Sequence, residues 1–276
     1  MNVRRGAFSV VTPNYNMAHF LPETIESVLV NLQPGDEYFI VDGGSTDGSV
    51  EVIRRYESHL AGWISEPDDG YADALVKGFR RCTGEFLCWI NSGDLLLKGA
   101  LQVASQVLTE TGADLIFGDD VCIDEQSRVF SHNHGHVRSL KHMMLYGGWT
   151  PWQDACYWRR SLYERVGGIN PALRYAADYD FFLRASWAGR YLYVPKVFSA
   201  FRHHEGQISI SGSAQYEAER QKCRRQMFTQ LGVPFWKRLA LGPFNWFAVR
   251  WWYRVARHFH RSAVPIGTVA TTLVVE

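Results

Sequence analysis

Short apolar runs alternate with amphipathic segments over the first half of the chain. The apolar runs predict β-strands at 7–12, 37–42, 62–65, 85–90 and 115–118. Segments whose apolar residues have helical spacing predict helices at 21–31, 49–56, 71–81 and 99–109. The run at 85–90 is nearly all apolar, as expected for a strand that is buried on both faces. This alternation predicts an α/β fold in which helices flank a doubly wound, mostly parallel sheet.

The second half of the chain has a less regular pattern. It predicts helices at 161–166 and 178–188, a strand at 191–194 and a polar helix after Ser213. The stretch at 128–148 is interpreted as a loop or as short irregular strands. It contains histidines without the spacing of metal ligands, namely His132, His134, His136 and His142. We expect one domain over residues 1–212 and a helical extension over residues 213–276.

Composition and charge narrow the class of protein. A length of 276 residues suits one α/β domain with an appendage, and 46% hydrophobic residues indicate a globular chain. The formal net charge of +1 argues against a nucleic-acid partner. Residues 213–276 hold ten Lys or Arg and three Glu, so they carry +7 while residues 1–212 carry −6. We therefore expect the extension to contact something anionic and the main body to rely on carboxylates.

Cysteine usage and apolar segments bear on the compartment. The five cysteines form no C-x-x-C pair, which argues against a disulfide framework or a zinc site and favours a reducing compartment. The sequence after Met1 has no signal-peptide core, and no apolar stretch has the length of a spanning helix. We expect a cytoplasmic protein.

Polar clusters follow the first, second and fourth predicted strands, at the sheet edge where α/β proteins bind ligands. Asp42 could accept hydrogen bonds from a base or ribose, or its loop could be a turn in which Ser45 or Asp47 caps a helix. Asp94 could bind a divalent cation together with a diphosphate, or could cap the next helix. Both alternatives remain open from the residues alone.

Two further candidates lie in the second half. Asp178 could be a general base, although carboxylates are common in a first helical turn because they complement the helix dipole. His204 could ligate a cation, although a surface histidine is the commoner interpretation. The sequence lacks G-x-G-x-x-G after the first strand, G-x-x-x-x-G-K-[ST] and G-x-S-x-G, which argues against dinucleotide oxidoreductases, P-loop NTPases and α/β-hydrolases.

Several motifs in order resemble those of the family 2 glycosyltransferases, which have the GT-A fold. They read FSVVTPNYN, VDGGSTDGS, SEPDDGYADALVKG, TGEFLCWINSGD, YWRRSLYERVGG, AADYDFFLR and FRHHEGQIS, and they span about residues 7–210. The resemblance implies an inverting transferase that moves a sugar from a nucleotide-sugar, typically a UDP-sugar, to a hydroxyl. The acceptor is expected to be a glycan or a lipid-linked saccharide in polysaccharide or glycoconjugate assembly.

The resemblance also implies roles for individual residues. The nucleotide-sugar contacts fall on Thr12, Pro13, Tyr15, Asp42, Ser45 and Asp73. The catalytic base falls on Asp178, and a divalent cation, Mn²⁺ or Mg²⁺, falls on Asp94 and His204. Acceptor candidates, for which core packing is an equal alternative, are Trp149, Trp152 and Gln153.

The sequence departs from the family pattern at three positions. Gly93 leaves Asp94 as the single acidic residue of the metal motif, Ala177 stands where an acidic residue usually precedes the base, and Val76 replaces a common Asn. The first two departures leave open a catalytically inactive homologue that binds nucleotide-sugars, and the third could remove a donor-side contact.

The segment at 235–261 combines nine aromatic residues with six Lys or Arg and contains no acidic residue. This composition is typical of an amphipathic helix that lies on an anionic membrane surface. The alternative is a helix that packs on the domain and covers apolar surface with arginine stems. Peripheral contact with the cytoplasmic face of a membrane is therefore expected, and a membrane-surface interaction protein is a third interpretation.

Overall fold

The computed structural model describes residues 3–135, 139–147, 149–205, 207, 212–234, 267–271 and 274. The strands of this part are β1 (Arg4–Asn14), β2 (Glu37–Asp42), β3 (Gly62–Ser65), β4 (Gly84–Trp89), β5 (Leu95–Leu96), β6 (Leu115–Ile123), β7 (Val129–Asn133), β8 (Cys156–Arg159) and β9 (Tyr191–Arg202). Its α-helices are α1 (Leu21–Leu29), α2 (Ser49–Tyr56), α3 (Tyr71–Phe79), α4 (Ala100–Thr111), α5 (Leu140–His142), α6 (Arg160–Arg165), α7 (Ala177–Ala188) and α8 (Ser213–Gln230). Tighter turns lie at Glu57–His59 and Gln153–Ala155, and a π-helical turn lies at Met143–Gly147.

The described strands form one sheet in the order β3-β2-β1-β4-β8-β6-β9-β5, with β7 paired to β6. Strands β3, β2, β1 and β4 are mutually parallel, so their carboxyl ends meet at one edge. Strand β8 enters antiparallel between β4 and β6, whereas β6 and β9 are parallel. The α/β class is confirmed, and the parallel order that the sequence predicts holds throughout the first four-strand block.

The second half of the sheet differs most from the sequence prediction. Strand β9 continues to Arg202, well past the predicted end at residue 194. Pro195 explains why the strand was predicted to end early, because proline is rare inside paired strands. The β6–β9 register shifts between Phe117 and Asp119, opposite Pro195, and pairing then resumes. The histidines at 132–142 divide among different elements: His132 lies on β7 and His142 ends α5, while His136 lies outside the described residues.

Aromatic packing fixes α7 against the centre of the sheet. Phe182 stacks on Trp89, the last residue of β4, with ring centroids 5.8 Å apart, and Phe181 lies 5.0 Å from Trp158 of β8. All four side chains are almost completely buried. Such pairs contribute about 0.5–1.5 kcal/mol each beyond the burial of their area. The first turn of α7 is thereby held beside the carboxyl end of β4.

No helix within the described ranges combines the length and the apolar character needed to cross a bilayer. The basic, aromatic segment at 235–261 lies outside the described residues.

Helix α3 lies very close to the sheet at Gly78. A Cβ atom added to Gly78 would come within 2.5 Å of Val11 Cγ1 and 3.3 Å of Val41 Cγ2. Alanine usually stabilises a helix relative to glycine, but here the methyl group has no space. We expect Gly78→Ala to lower the free energy of unfolding by about 1–3 kcal/mol, as overpacking of a core does. Urea unfolding measures this, with the exposed α4 substitution Gln102→Ala as a control expected to stay within about 0.5 kcal/mol. An increase in stability for Gly78→Ala would contradict the close packing.

Candidate active site

Asp42 ends β2 at the carboxyl edge, next to Asn14 at the end of β1. Its carboxylate accepts hydrogen bonds from Asn14 Nδ2 (2.7 Å), Ser45 Oγ (2.5 Å) and Ser65 Oγ (2.6 Å). The backbone N–H groups of Gly44 and Ser45 also donate to it, at 3.2 and 3.0 Å. Burial alone would raise the pKa of Asp42, but these donors lower it below its usual value. Asp42 is therefore an ionised carboxylate that fixes the loop after β2.

Residues near the end of β1 divide between the interior and the surface. Thr12 is fully buried and its hydroxyl pairs with Tyr38 Oη at 3.0 Å, so its side chain points into the core. The carbonyl of Pro13 accepts a hydrogen bond from Ser92 Oγ at 3.1 Å, which ties β1 to the loop after β4. Tyr15 is 64% exposed. Of this group, only Tyr15 offers a free aromatic face at the edge.

The loop after β4 holds Asp94, which is almost completely buried. Its Oδ1 accepts the backbone N–H of Arg202 at 2.9 Å, and its Oδ2 accepts Asn91 Nδ2 at 3.3 Å. Burial, followed by the charge of Asp154, raises the pKa of Asp94 well above its usual value. The structure therefore places Asp94 among other buried carboxyl groups, where its negative charge is costly without a cation.

The backbone of this loop explains why position 93 is a glycine. Its φ angle is +109°, a region that residues with a Cβ rarely adopt. An added Cβ would also lie 3.2 Å from Met17 Cε. A second acidic side chain is thus disfavoured at this position by the backbone itself.

Arg202, at the end of β9, is fully buried under the same loop. Its guanidinium donates to the Gly93 carbonyl at 2.7 Å, to Glu23 at 2.8 Å and to Ser127 Oγ at 2.9 Å, and it lies over the Phe20 ring. Sequence analysis did not select Arg202, although it is the second residue of the FRHHEGQIS motif. This arginine connects the loop of Asp94 to β9 and to the turn after β6.

Two buried carboxyl groups that sequence analysis missed lie close to Asp94. Asp120 is on β6 and Asp154 is in the turn before β8, and one oxygen of each lacks a hydrogen-bond donor within the described part of the chain. Burial raises the pKa of Asp154 to about 6. Burial, followed by the charges of Asp154 and Asp94 among others, raises that of Asp120 well above its usual value. Asp120 belongs to the acidic pair Asp119-Asp120 that directly follows the apolar run at 115–118, a signal that the sequence analysis did not use.

The chemistry of the individual donors at this edge, although not a preformed ligand set, suits a hard divalent cation. Unpartnered carboxylate oxygens of Asp120 and Asp154 beside Asp94 are the ligand type that Mg²⁺ and Mn²⁺ prefer. His204 follows Arg202 by two residues; its Nδ1 lies 2.9 Å from the Glu205 carbonyl oxygen and its ring lies against Phe20. Among the residues that the structure describes, no group of three or more His, Cys, Asp or Glu has a metal-binding arrangement. Asp94 and His204 are thus near the same loop but do not form a closed ligand set.

Asp178 lies in the first turn of α7 and is half-buried, but its Oδ1 is enclosed and has no hydrogen-bond donor in the described structure. Burial raises the pKa of Asp178 to about 6, against the opposing effects of backbone N–H groups and of Arg220. The neighbouring Asp180 instead pairs with Arg184 at 2.6 Å. Of the two carboxylates in this turn, only Asp178 is left for chemistry.

The remaining candidates are engaged in local contacts. Asp73 pairs with Lys77 at 3.1 Å in the first turn of α3. Gln153 accepts from Asn91 Nδ2 at 2.9 Å and donates to the Trp89 carbonyl at 2.7 Å, so it supports the loop of Asp94. Trp149 and Trp152 are half-buried and pack against the main core.

Contacts connect these residues along one edge. Asp42 accepts a hydrogen bond from Asn14. Pro13, which precedes Asn14, accepts one from Ser92 in the loop of Asp94. That loop in turn binds Gln153. The charges of Asp154 and Asp178 both act on the buried thiol of Cys156, after burial the main causes of its raised pKa. These contacts join the loops of Asp42 and Asp94 along one strand-end edge, and Asp178 lies within electrostatic range of the same buried thiol as Asp154, which acts on Asp94.

Comparison with known proteins identifies the family of this chain. The sequence model of Glycosyl transferase family 2 matches residues 9–167, more than half of the chain. A PGL/p-HBAD biosynthesis glycosyltransferase of Mycobacterium bovis is 26% identical over 182 residues, which cover 64% of this chain and 68% of the relative. An uncharacterized glycosyltransferase of Nostoc sp. is 26% identical over 270 residues, which cover 92% and 83%.

Two solved structures share the fold. The mannosyltransferase PcManGT of Pyrobaculum calidifontis, in complex with GDP-Man and Mn²⁺, has a TM-score of 0.62 at 18% identity and covers 92% of this chain and 76% of its own. Residues 1–349 of S. aureus TarS, in complex with UDP-GlcNAc, have a TM-score of 0.60 at 20% identity and cover 72% of this chain. This chain spans 59% of that TarS chain. The fold is therefore the GT-A type, and the chain belongs to glycosyl transferase family 2.

Proposed function

We propose that this glycosyltransferase inverts the anomeric centre as it moves a sugar from a nucleotide-sugar, a UDP-sugar in the first place, to an acceptor hydroxyl. The observation that carries the proposal is the carboxyl group of Asp178. It has an enclosed, unpartnered oxygen and a pKa raised by burial to about 6, and it lies in the first turn of a helix that packs on the last residue of β4, just before the loop of Asp94. A base with this pKa is ionised at neutral pH and still accepts a proton readily.

The chain's own residues divide the work. Asp42 and Ser45 hold the loop that would receive the nucleotide, and Tyr15 presents an aromatic face beside it. Asp73 lies on the donor side, while Thr12 and Pro13 contribute through the backbone. Asp178 would take the proton of the acceptor hydroxyl while that oxygen attacks the anomeric carbon and the nucleoside diphosphate leaves from the opposite face. One such displacement inverts the anomeric configuration.

A divalent cation, when bound at Asp94 with His204 nearby, would offset the charge that develops on the leaving diphosphate. Asp120 and Asp154 each hold an unpartnered buried oxygen, and both interact electrostatically with Asp94, so this part of the edge is rich in carboxyl groups. Trp149 and Trp152 are proposed to line the acceptor side.

A catalytically inactive nucleotide-sugar-binding homologue is the second candidate. Gly93, Ala177 and the missing three-residue metal cluster in the described part of the chain favour it. Gly93, however, is required by its positive φ angle, so the loss of an acidic side chain there is explained by backbone geometry. The unpartnered oxygen of Asp178 also has no use in a protein that only binds the donor.

We also propose the domain limits and setting that the sequence indicates. Residues 1–212 form the GT-A domain and residues 213–276 a basic, aromatic extension. The enzyme works in the cytoplasm, at the inner face of a membrane, on a glycan or lipid-linked saccharide. The charge of +7 on the extension supports contact with anionic lipid.

Tyr15→Ala tests the donor site. Because Tyr15 is 64% exposed, its removal should leave the melting temperature unchanged in the absence of nucleotide. Stacking of a base on an aromatic ring is worth about 1–3 kcal/mol, so the dissociation constants of UDP or GDP should rise by about five- to 150-fold. Isothermal titration with Mn²⁺ present measures this. Phe130→Ala, which removes an exposed aromatic side chain from β7, is the control. Equal weakening of nucleotide binding by both substitutions would contradict the assignment.

Asp178→Asn tests the base. We expect turnover of the nucleotide-sugar in the presence of Mn²⁺ to fall by about 10²–10⁴-fold with little change in donor affinity. Because the base acts when it is deprotonated, wild-type turnover should rise with pH through a pKa of about 6, and the variant should lose this rise. Steady-state assays of UDP-, GDP- and dTDP-sugars with candidate acceptors, over pH 5 to 8, measure both. Wild-type turnover in Asp178→Asn would refute the role.

Liposome binding tests the extension. We expect the full chain to sediment with vesicles that contain anionic lipid and to be released by salt, because its cations bind the surface electrostatically. A chain that ends at Gly232 should remain in the supernatant, and neutral vesicles serve as the control. Equal sedimentation of both chains would remove the proposed membrane contact.

A further inference from the structure

Helix α8 lies beyond the residues that the family's sequence model matches, yet it contacts the helix that carries Asp178. The carboxylate of Glu219 accepts hydrogen bonds from three consecutive backbone N–H groups just before α7. These come from Arg174 (3.1 Å), Tyr175 (2.9 Å) and Ala176 (2.8 Å). Both carboxylate oxygens are engaged, so Glu219 is fixed in one orientation.

The start of α7 lacks a capping side chain of its own. Ala176 occupies the capping position and has no side-chain acceptor, and Ala177 follows it. The first N–H groups of a helix need acceptors, which Ser, Thr, Asp or Asn usually supply at this position. Here acceptors come from two other helices: Tyr71 Oη of α3 accepts the N–H groups of Ala177 and Asp178, and Glu219 of α8 accepts those of the three residues that lead into α7. A negative charge there is also favourable because it lies at the positive end of the helix dipole.

Helix α3 holds the same turn through a second set of contacts. Tyr71, at the start of α3, donates its hydroxyl to the Tyr175 carbonyl at 3.2 Å and accepts the N–H of Ala177 at 3.0 Å. The N–H of Asp178 also points to this hydroxyl, at 3.4 Å. The backbone that leads into Asp178 is therefore held between α3 and α8.

Helix α8 also sets the charge around Asp178. Five titratable groups interact electrostatically with the Asp178 carboxyl. They are Tyr71 of α3, Tyr216, Glu219 and Arg220 of α8, and Cys156 of β8. Of these, Arg220 lowers and Glu219 raises the pKa of Asp178, after burial and the backbone N–H groups. Arg220 itself lies over the Tyr179 and Tyr216 rings and pairs with Glu217.

We propose that Glu219 is a positioning residue for Asp178, so that α8 is part of the working enzyme. By holding the backbone of residues 174–176, it fixes the first turn of α7 in the orientation that directs the Asp178 carboxyl to the acceptor. Ala177 leaves the position before the base without a carboxylate, and Glu219 brings one to the same turn from α8. The inference rests on the proposed role of Asp178 as the base.

The test compares Glu219→Ala, Glu219→Gln and Asp178→Asn with wild type. Glu110→Gln is the matched control, because it removes one charge from an exposed site on α4 whose hydrogen bond is to Gln106. The reaction is Mn²⁺-dependent turnover of UDP-GlcNAc and GDP-mannose, with water as acceptor where no sugar acceptor is found. Hydrogen exchange of the peptide that contains residues 174–178 gives a readout that is independent of activity.

We expect Glu219→Ala to lower kcat by about ten- to 100-fold, since small displacements of a reacting group have effects of this size, with little change in donor KM. Exchange at residues 174–176 should become faster. Glu219→Gln keeps an acceptor oxygen but loses the charge, so kcat should fall less. The rise of its kcat with pH should shift to lower pH, because Glu219 no longer raises the pKa of Asp178. Glu110→Gln should match wild type in every measurement.

The outcomes separate this inference from the function on which it rests. If Asp178→Asn is inactive while both Glu219 variants keep the wild-type kcat and pH profile, the inference is wrong and the base assignment stands. If Asp178→Asn is fully active, the base assignment fails and the inference fails with it. Should Glu219→Ala be too unstable to assay, the isosteric Glu219→Gln decides through its pH profile, which a purely structural role would leave in place.

Discussion

Burial of carboxyl groups at one edge of the sheet is the constraint on which the rest of this structure depends. A buried carboxylate is costly unless donors or a cation compensate its charge. Asp42 is compensated completely by hydroxyl, amide and backbone donors, and its pKa lies below the usual value. Asp94, Asp120 and Asp154 are compensated only in part, and burial raises their pKa values. The edge therefore contains one carboxylate with a permanent charge and others whose charge depends on what binds beside them.

The buried cation of Arg202 determines how this edge is built. It reaches the carbonyl of Gly93 from β9, while its own N–H binds Asp94, so the loop after β4 is fixed by a strand that is more than one hundred residues away. The same guanidinium binds Glu23 and Ser127 and thereby joins α1 to the turn after β6. Removal of such a group would leave several acceptors unpaired at once. Geometry near Asp94 is thus a property of the whole sheet and not of the local motif.

The sequence predicted the elements of the first half because each is a continuous apolar run bounded by turn residues. It missed β8, which has four residues and passes into α6 without a breaker. Pro195 concealed the second half of β9. The motifs named Asp42, Asp94 and Asp178 as candidates. The pair Asp119-Asp120 after the predicted strand at 115–118 was not used, and Asp154 carried no local signal. Thr12 was assigned to the donor site, but in a strand buried on both faces the sequence does not show which way a side chain points.

At two positions, this chain lacks an acidic residue that the family pattern leads one to expect. A carboxylate from elsewhere in the fold lies near each of them. The φ angle of Gly93 disfavours a side chain there, and Asp154 lies close enough to raise the pKa of the adjacent Asp94. Ala177 has no acceptor, and Glu219 of α8 binds the N–H groups just before it. Electrostatic requirements are met by the position of a charge in space and not by its position in the chain. A motif with a missing acidic residue therefore understates the negative charge that this edge presents to a cation and a leaving diphosphate.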